Sequence, residues 1–223
     1  LGTLQQIVIE MPQESFLRKG ANPQDWRRRD YSVPTVSLDL GVHVHHLVDF
    51  ITSGMKPKRV SADHSSFGFF EGLVDNVFCI AEYEEKLKVQ SWWGKTALGH
   101  RNGLRLRVYG SEASAEWYQI NPEFLQWADN DGHYYTLDRS SGEATLAQQP
   151  RYNRFKAGHP SGFVEAFANL YCDIAQEIFS RASGSSTQTS TGFVAHACEG
   201  GAALRFLECI SKSAASLAWV SCE

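Results

Sequence analysis

The 223 residues, 43% of them apolar, are enough to bury a proper core as one large domain. Charge is nearly balanced, 21 basic against 25 acidic residues for a formal −4, so no broad electropositive surface is expected and nucleic acid is not an expected partner. No apolar run approaches the roughly 20 residues of a membrane span, and the opening LGTLQQIVIEMPQ lacks the apolar core of a secretory signal, so a soluble protein is expected, its start at Leu1 being read as a cut end.

Residues 4–11 alternate as a strand and stop at Pro12, which cannot donate to a ladder. Residues 16–36 are charged, broken by Gly and Pro and not periodic, which predicts a long irregular loop of the kind that carries function. Within it, Trp26-Arg27 either borders a pocket or pins the loop to the body. A helix is predicted over 37–54. At about 100° per residue, Asp39, His43 and His46 project within roughly 60° of one another. Leu40, Val44, Leu47, Val48 and Ile51 form a neighbouring stripe for the core. A carboxylate one turn before an imidazole orients the ring, favours one tautomer and raises its pKa, which is what an acid/base histidine needs. The same spacing also fits a helix cap at Asp39 beside ordinary histidines, or a carboxylate and two imidazoles around a metal.

After Gly54 and Pro57 the chain turns to β-structure, beginning with 59–64. In 74–83 both alternating sets are largely apolar, which predicts a strand covered on two faces, and 88–93 returns beside it. In 104–109, Leu104, Leu106 and Val108 alternate with Arg105, Arg107 and Tyr109; Gly110 turns the chain and 113–119 restarts it. A hairpin over 124–127 and 133–137 turns at ADNDGHYY, with Gly132. The period then changes. Phe163, Ala166, Phe167, Leu170, Ile174 and Ile178 recur at helical spacing behind a cap at Ser161. Residues 181–190 read as a Gly/Ser linker, and Thr191 as the cap of a second helix with Phe193, Ala197, Leu204 and Leu207 facing inwards, before a closing strand at 217–220. This order predicts an α+β fold, a large, mostly antiparallel, open-faced sheet with helices on one face, as a single domain over 1–223. The five cysteines, Cys79, Cys172, Cys198, Cys209 and Cys222, show no zinc spacing and read as reduced, small buried residues in a cytoplasmic protein.

Asp39-Leu40-Gly41-Val42-His43 resembles the Asp-x-Gly-x-His signature of the glucose-fructose oxidoreductase and inositol dehydrogenase family (Gfo/Idh/MocA), nicotinamide-dependent enzymes acting mostly on sugars and polyols. NGLRLRVYG from Asn102, AEW at Ala115 to Trp117, and GHPSGFVEAFANLY from Gly158 are similar to stretches of that family's second domain. They come in the same order, after PQ at Pro12-Gln13 and WR at Trp26-Arg27. The resemblance spans nearly the whole chain. It implies the family's glyceraldehyde-3-phosphate dehydrogenase-like second domain without its first, a Rossmann unit carrying a Gly-rich loop and a Glu-Lys-Pro lysine. It implies His43 as the acid/base, held by Asp39, with the lysine of the other domain completing the site. His46 stands where inositol dehydrogenases often carry an aspartate on substrate hydroxyls, and His159 in GHP resembles a pocket histidine, so His46, His159, Trp26 and Arg27 become candidate substrate-binding residues. NAD or NADP is expected on the upstream domain and not on this chain, which alone is expected to be inactive, and no bound metal is expected. A homo-oligomer through the open sheet face is also implied, with Arg105 and Arg107 reaching acidic residues such as Glu82. Beside this stand a metal enzyme built on Asp39, His43 and His46, and a non-catalytic sugar-binding or scaffolding relative.

Overall fold

The computed structural model describes residues 1–183 and 193–222. β1 (Leu4–Pro12) buries Ile7, Ile9 and Met11 and turns Gln6, Val8 and Glu10 the other way, so its alternation decides which face packs. It lies mid-sheet. With it run β2 (Pro57–Ser65), β3 (Asn76–Tyr83), β4 (Lys88–Gly94), β5 (Arg105–Gly110), β6 (Ala113–Tyr118), β7 (Leu125–Asp129), β8 (Tyr134–Leu137) and β9 (Val220–Ser221). They form a nine-stranded sheet in the order β8-β7-β6-β5-β1-β4-β3-β2-β9. Only β1 and β4 pair in parallel; every other neighbouring pair is antiparallel. A parallel pair needs a crossover, and this one carries α1 (Val42–Ile51) across one face of the sheet.

α2 (Phe163–Ala182) and α3 (Ala197–Ser216) follow the strands. Leu40, Val44 and Val48 from the α1 region join Phe206, Leu207 and Ile210 of α3 over Ile7, Val60, Val77, Ala81, Tyr83 and Trp93, which form one apolar core. The expected α+β architecture is the one observed. β9 pairs with β2, and Ser213 ties α3 to the sheet by accepting from the Ala62 amide at 3.0 Å.

Several local expectations are corrected. β3 is covered on one face only, since Phe78 and Ile80 stand 43% and 50% exposed; two apolar sets read as two buried faces, but α1 and α3 shield just one. α2 forms where its period predicts, yet Asp173 is its sole buried residue, and Phe163, Val164, Tyr171, Ile178 and Phe179 are exposed. Its cap is not Ser161: the Gly162 amide donates to Glu165 Oε2 at 2.9 Å. In α3 the inward set is Ala203, Phe206, Leu207, Ile210 and Ser213, while Phe193 and Leu204 are exposed. The helix starts with the His196 amide on Glu199 Oε2 at 2.6 Å. The Thr191 cap and most of the 181–190 linker lie outside the described residues. All five thiols are free, but only Cys79 is buried, and burial pushes its thiol up to about 12. Among the described residues no helix is long and apolar enough to cross a membrane.

Candidate functional site

The helical segment that bears the predicted site begins behind Pro34, whose carbonyl accepts from the Ser37 amide at 2.9 Å and the Leu38 amide at 3.2 Å. Proline suits a helix start because its missing N–H and fixed φ cost nothing there. Asp30 anchors this end to the sheet, accepting from the Thr35 amide at 2.8 Å and the Val74 amide at 2.7 Å. The next turn is wide: Ser37–Gly41 forms a π-helix before α1 resumes normal geometry. Such a turn inserts one extra residue and is common where a helix must present a functional side chain. Gly41 lets this turn lie close against α3 and β4, because a Cβ there would lie 2.9 Å from Leu207 Cδ2 and 3.1 Å from Trp93 Cε2 and Cζ2. Ser37, on the same turn, accepts from Trp93 Nε1 at 3.2 Å.

Asp39 projects from this π turn into a cage of two cations. Arg27 donates to both of its oxygens, Nε to Oδ2 at 2.9 Å and an Nη to Oδ1 at 2.8 Å, and Lys95 Nζ donates to Oδ2. Arg27 is held in place by Gln24 at 2.6 Å and lies over the Trp26 ring at 4.3 Å, so Trp26, itself 44% exposed, stands beside the Asp39 cage, and its partners among the described residues are Gln24 and Arg27 of its own loop. Lys95 follows Gly94 at the end of β4; its side chain is 5% exposed and lies 5.4 Å from the Phe16 ring. Burial alone would raise the Asp39 carboxyl, but the hydrogen bonds from Arg27 and Lys95 outweigh it and hold the group below the usual carboxylate range. Burial pulls Lys95 below the ordinary lysine value, and Asp39 restores part of that. The trio is a fixed anion between two cations, with donors left over on both.

His43 and His46 are both exposed on α1, whereas His45 between them is buried against Phe206, ring centroids 5.2 Å apart. Among the described residues no hydrogen bond joins Asp39 to His43; the carboxylate is taken by Arg27 and Lys95. His46 lines a separate cavity of about 340 Å³ with Asp49, Phe50 and Glu199. His159 is exposed beside the far edge of the sheet, where Arg139 donates to its carbonyl at 2.8 Å and to Glu123 at 2.9 Å. The expected set is thus split: Asp39, Arg27 and Trp26 meet, His43 stands one turn along, and His46 and His159 lie elsewhere.

Asp39, His43 and His46 are not gathered as metal ligands. Among the described residues, three such groups come close enough to share an ion only at Asp129, Asp131 and His133, in the exposed β7–β8 turn. Asp129 is already committed there, accepting from the His133 amide at 2.9 Å and the Asp131 amide at 3.1 Å. Nor does a strand pass through a glycine-rich loop into a helix: β1 reaches α1 through residues 13–36, and β8 reaches α2 through residues 138–162.

The functional residue that sequence reading missed is Lys95. It directly follows β4 and meets Asp39 across 56 residues, and no spacing rule links them. Its one signal is position, a lysine directly after the buried Trp93-Gly94 pair at the end of a strand leading to the helix face.

The family pattern described as GFO/IDH/MocA C-terminal domain matches residues 1–116. A protein of Bacillus subtilis (strain 168) described as the uncharacterized oxidoreductase YfiI is 29% identical over 145 residues, covering 61% of this chain and 35% of that protein. Among solved structures, an inositol dehydrogenase homolog from Azotobacter vinelandii, complexed with NADH and myo-inositol, superposes with a TM-score of 0.83 at 25% identity, covering 99% of this chain and 57% of that one. An oxidoreductase from Sinorhizobium meliloti gives a TM-score of 0.80 at 27% identity, covering 98% of this chain and 57% of that one. The chain spans about a third of that Bacillus relative and somewhat over half of these structures.

Proposed function

This chain belongs to the GFO/IDH/MocA family, as its C-terminal domain, and from that premise we propose that it forms the substrate-binding and oligomerisation half of a nicotinamide-dependent oxidoreductase acting on a sugar or polyol hydroxyl. The observation that carries the reading is Asp39, fixed as an anion by Arg27 and Lys95 on a π turn, with His43 one turn further along the same helix. The nicotinamide, NAD or NADP, supplies the hydride acceptor or donor. Removing hydride from a secondary alcohol leaves a cationic carbonyl, so a base must take the hydroxyl proton as the C–H bond breaks.

His43 is exposed and its side chain has no hydrogen-bond partner among the described residues, so its imidazole is free to take that proton. Asp39, one turn before His43 on the same helical segment, is kept ionised by the two cations. Arg27 and Lys95, with N–H groups to spare, bind and orient substrate oxygens. His46, His159 and Trp26 belong to the wider substrate surface in this proposal. The odd cysteine count with no disulfide among the described residues supports a reducing, cytoplasmic setting.

The test is kinetic, in the full-length protein. His43→Ala should lower turnover by about 10² to 10⁴ with little change in cofactor affinity, and Asp39→Asn should resemble it. Normal turnover in both variants would remove the acid/base assignment.

A further inference from the structure

We infer that the substrate of this site carries an anionic group, a carboxylate or a phosphate, seated in a cationic cleft beside Asp39; the inference rests on the oxidoreductase reading above and narrows its substrate class. The cleft encloses about 490 Å³ between the end of β1 and the 15–27 loop, within the range of small-molecule sites. Its walls carry Arg18, Lys19, Arg27 and Lys95 and no carboxylate. In a chain with more acidic than basic residues, composition does not explain four cations around one cleft.

The counter-charges present do not cancel these four. Asp39 takes one charge's worth from Arg27 and Lys95 together, and Glu14 reaches Arg18 only at 3.7 Å on an exposed side chain. Lys19 has no partner among the described residues. The cleft therefore keeps an excess of positive charge. Ser15 also lines it, and its Oγ is buried without a hydrogen-bond partner among the described residues. Arg27 and Lys95 have side chains 27% and 5% exposed, where charge-assisted hydrogen bonds to an oxyanion are strong. Because the same two residues hold Asp39, an anion bound here would sit next to the Asp39 cage.

A neutral polyol has no group that uses this excess charge, whereas a sugar acid or a sugar phosphate does. The test compares matched pairs in the full-length protein with its nicotinamide cofactor: gluconate against sorbitol, and sorbitol 6-phosphate against sorbitol. The acid or the phosphate should exceed the neutral polyol in kcat/KM by at least about tenfold, and which of them does so distinguishes carboxylate from phosphate. In the double variant Arg18→Gln, Lys19→Gln that ratio should fall by about 10- to 100-fold. Equal kcat/KM for charged and neutral members, in wild type and variant alike, would overturn the inference. A rise in KM for NAD or NADP with the substrate ratio unchanged would also overturn it, by assigning the cleft to the cofactor's phosphates. A second arm needs no turnover. Inorganic phosphate titrated calorimetrically should bind, and the double variant should weaken it at least about tenfold; failure to bind refutes the anion site, whereas binding with no turnover of any polyol leaves the anion site standing and removes the oxidoreductase reading instead.

Discussion

Gly41 has an ordinary helical φ of −62°, so its backbone does not require glycine; the packing does. Alanine in place of glycine in a helix gains up to about 1 kcal/mol in propensity. Overpacking a filled core costs about 1 to 3 kcal/mol. Here the new methyl would press on Leu207 and Trp93, both fully buried, and the indole is further fixed by its bond to Ser37. The packing cost should win. Gly41→Ala is expected to lower the melting temperature by roughly 2–4 °C for each kcal/mol lost, and Gly41→Val by more; a rise in Gly41→Ala would show that the core yields. The Asp-x-Gly-x-His segment was legible in the sequence because its residues are local. Arg27 was legible as a neighbour of Trp26, but its grip on Asp39 was not. Lys95 was invisible to any local pattern, since only the register of β4 beside β1 and the π turn above it bring that ammonium to the carboxylate.

At the scale of elements, α1 shows why period finds a helix and misses its details. The stripe of Leu40, Val44 and Val48 is buried as its spacing predicts, with Leu47 and Ile51 half-buried beside it. The π turn carries no such signal, because one extra residue leaves the apolar spacing almost intact. His45 shares the buried i, i+3, i+4, i+7 stripe with Gly41, Val44 and Val48. It falls on the core side against Phe206 of α3, while its two neighbouring histidines stay outside. Burial lowers its pKa below 6.5, with Asp49 opposing and His46 and Lys56 adding to the shift; His64 on β2 is lowered by burial too, against Asp63 and Asp30. A folded pKa below the unfolded one means that the unfolded chain binds the proton first as pH falls. The stability these histidines contribute is therefore complete above about pH 6.5 and is lost as pH falls through that value towards the folded pKa values, at up to about 1.4 kcal/mol per pH unit for each group. Denaturant unfolding at pH 7.5 and pH 5.5 should give a clear loss in the wild type. His45→Gln should flatten that slope even if it lowers stability at both pH values. An unchanged slope would move the effect to His64, where His64→Gln checks it.

The whole molecule is a sheet with one dressed side, and the sequence announced that architecture through its strand run between helices but not how far the dressing reaches. α1 and α3 cover β1 to β5 on one face, and α2 leaves its own apolar side chains open. The other face of the sheet presents Val8, Phe78, Ile80, Trp92 and Tyr109 together, and Phe78 and Trp92 stack with centroids 5.8 Å apart and planes at 2°. Charged side chains interspersed on this face are paired within the chain: Arg107 with Glu10, Arg105 with Glu116, and Glu82 with Arg59 and Lys88. Arg105 and Arg107 are thus occupied at home and need not reach a partner's Glu82. Phe78, Ile80 and Trp92 form a contiguous exposed apolar and aromatic cluster; aromatic residues are enriched at protein interfaces, and a large exposed apolar patch is unusual on a monomer. We propose a second copy of the same face as its cover, since an isologous contact about a two-fold axis sets aromatic centre on aromatic centre. A charge at that centre must then be desolvated without a partner in both copies, a cost well above the 1.4 kcal/mol that makes a tenfold change in affinity. Ile80→Glu and Trp92→Glu, being surface changes in the separated chain, should each leave the circular dichroism spectrum intact. Both should drop the light-scattering mass at tens of micromolar from a dimer or higher to a monomer, while a wild type that is already strictly monomeric there would sink the idea.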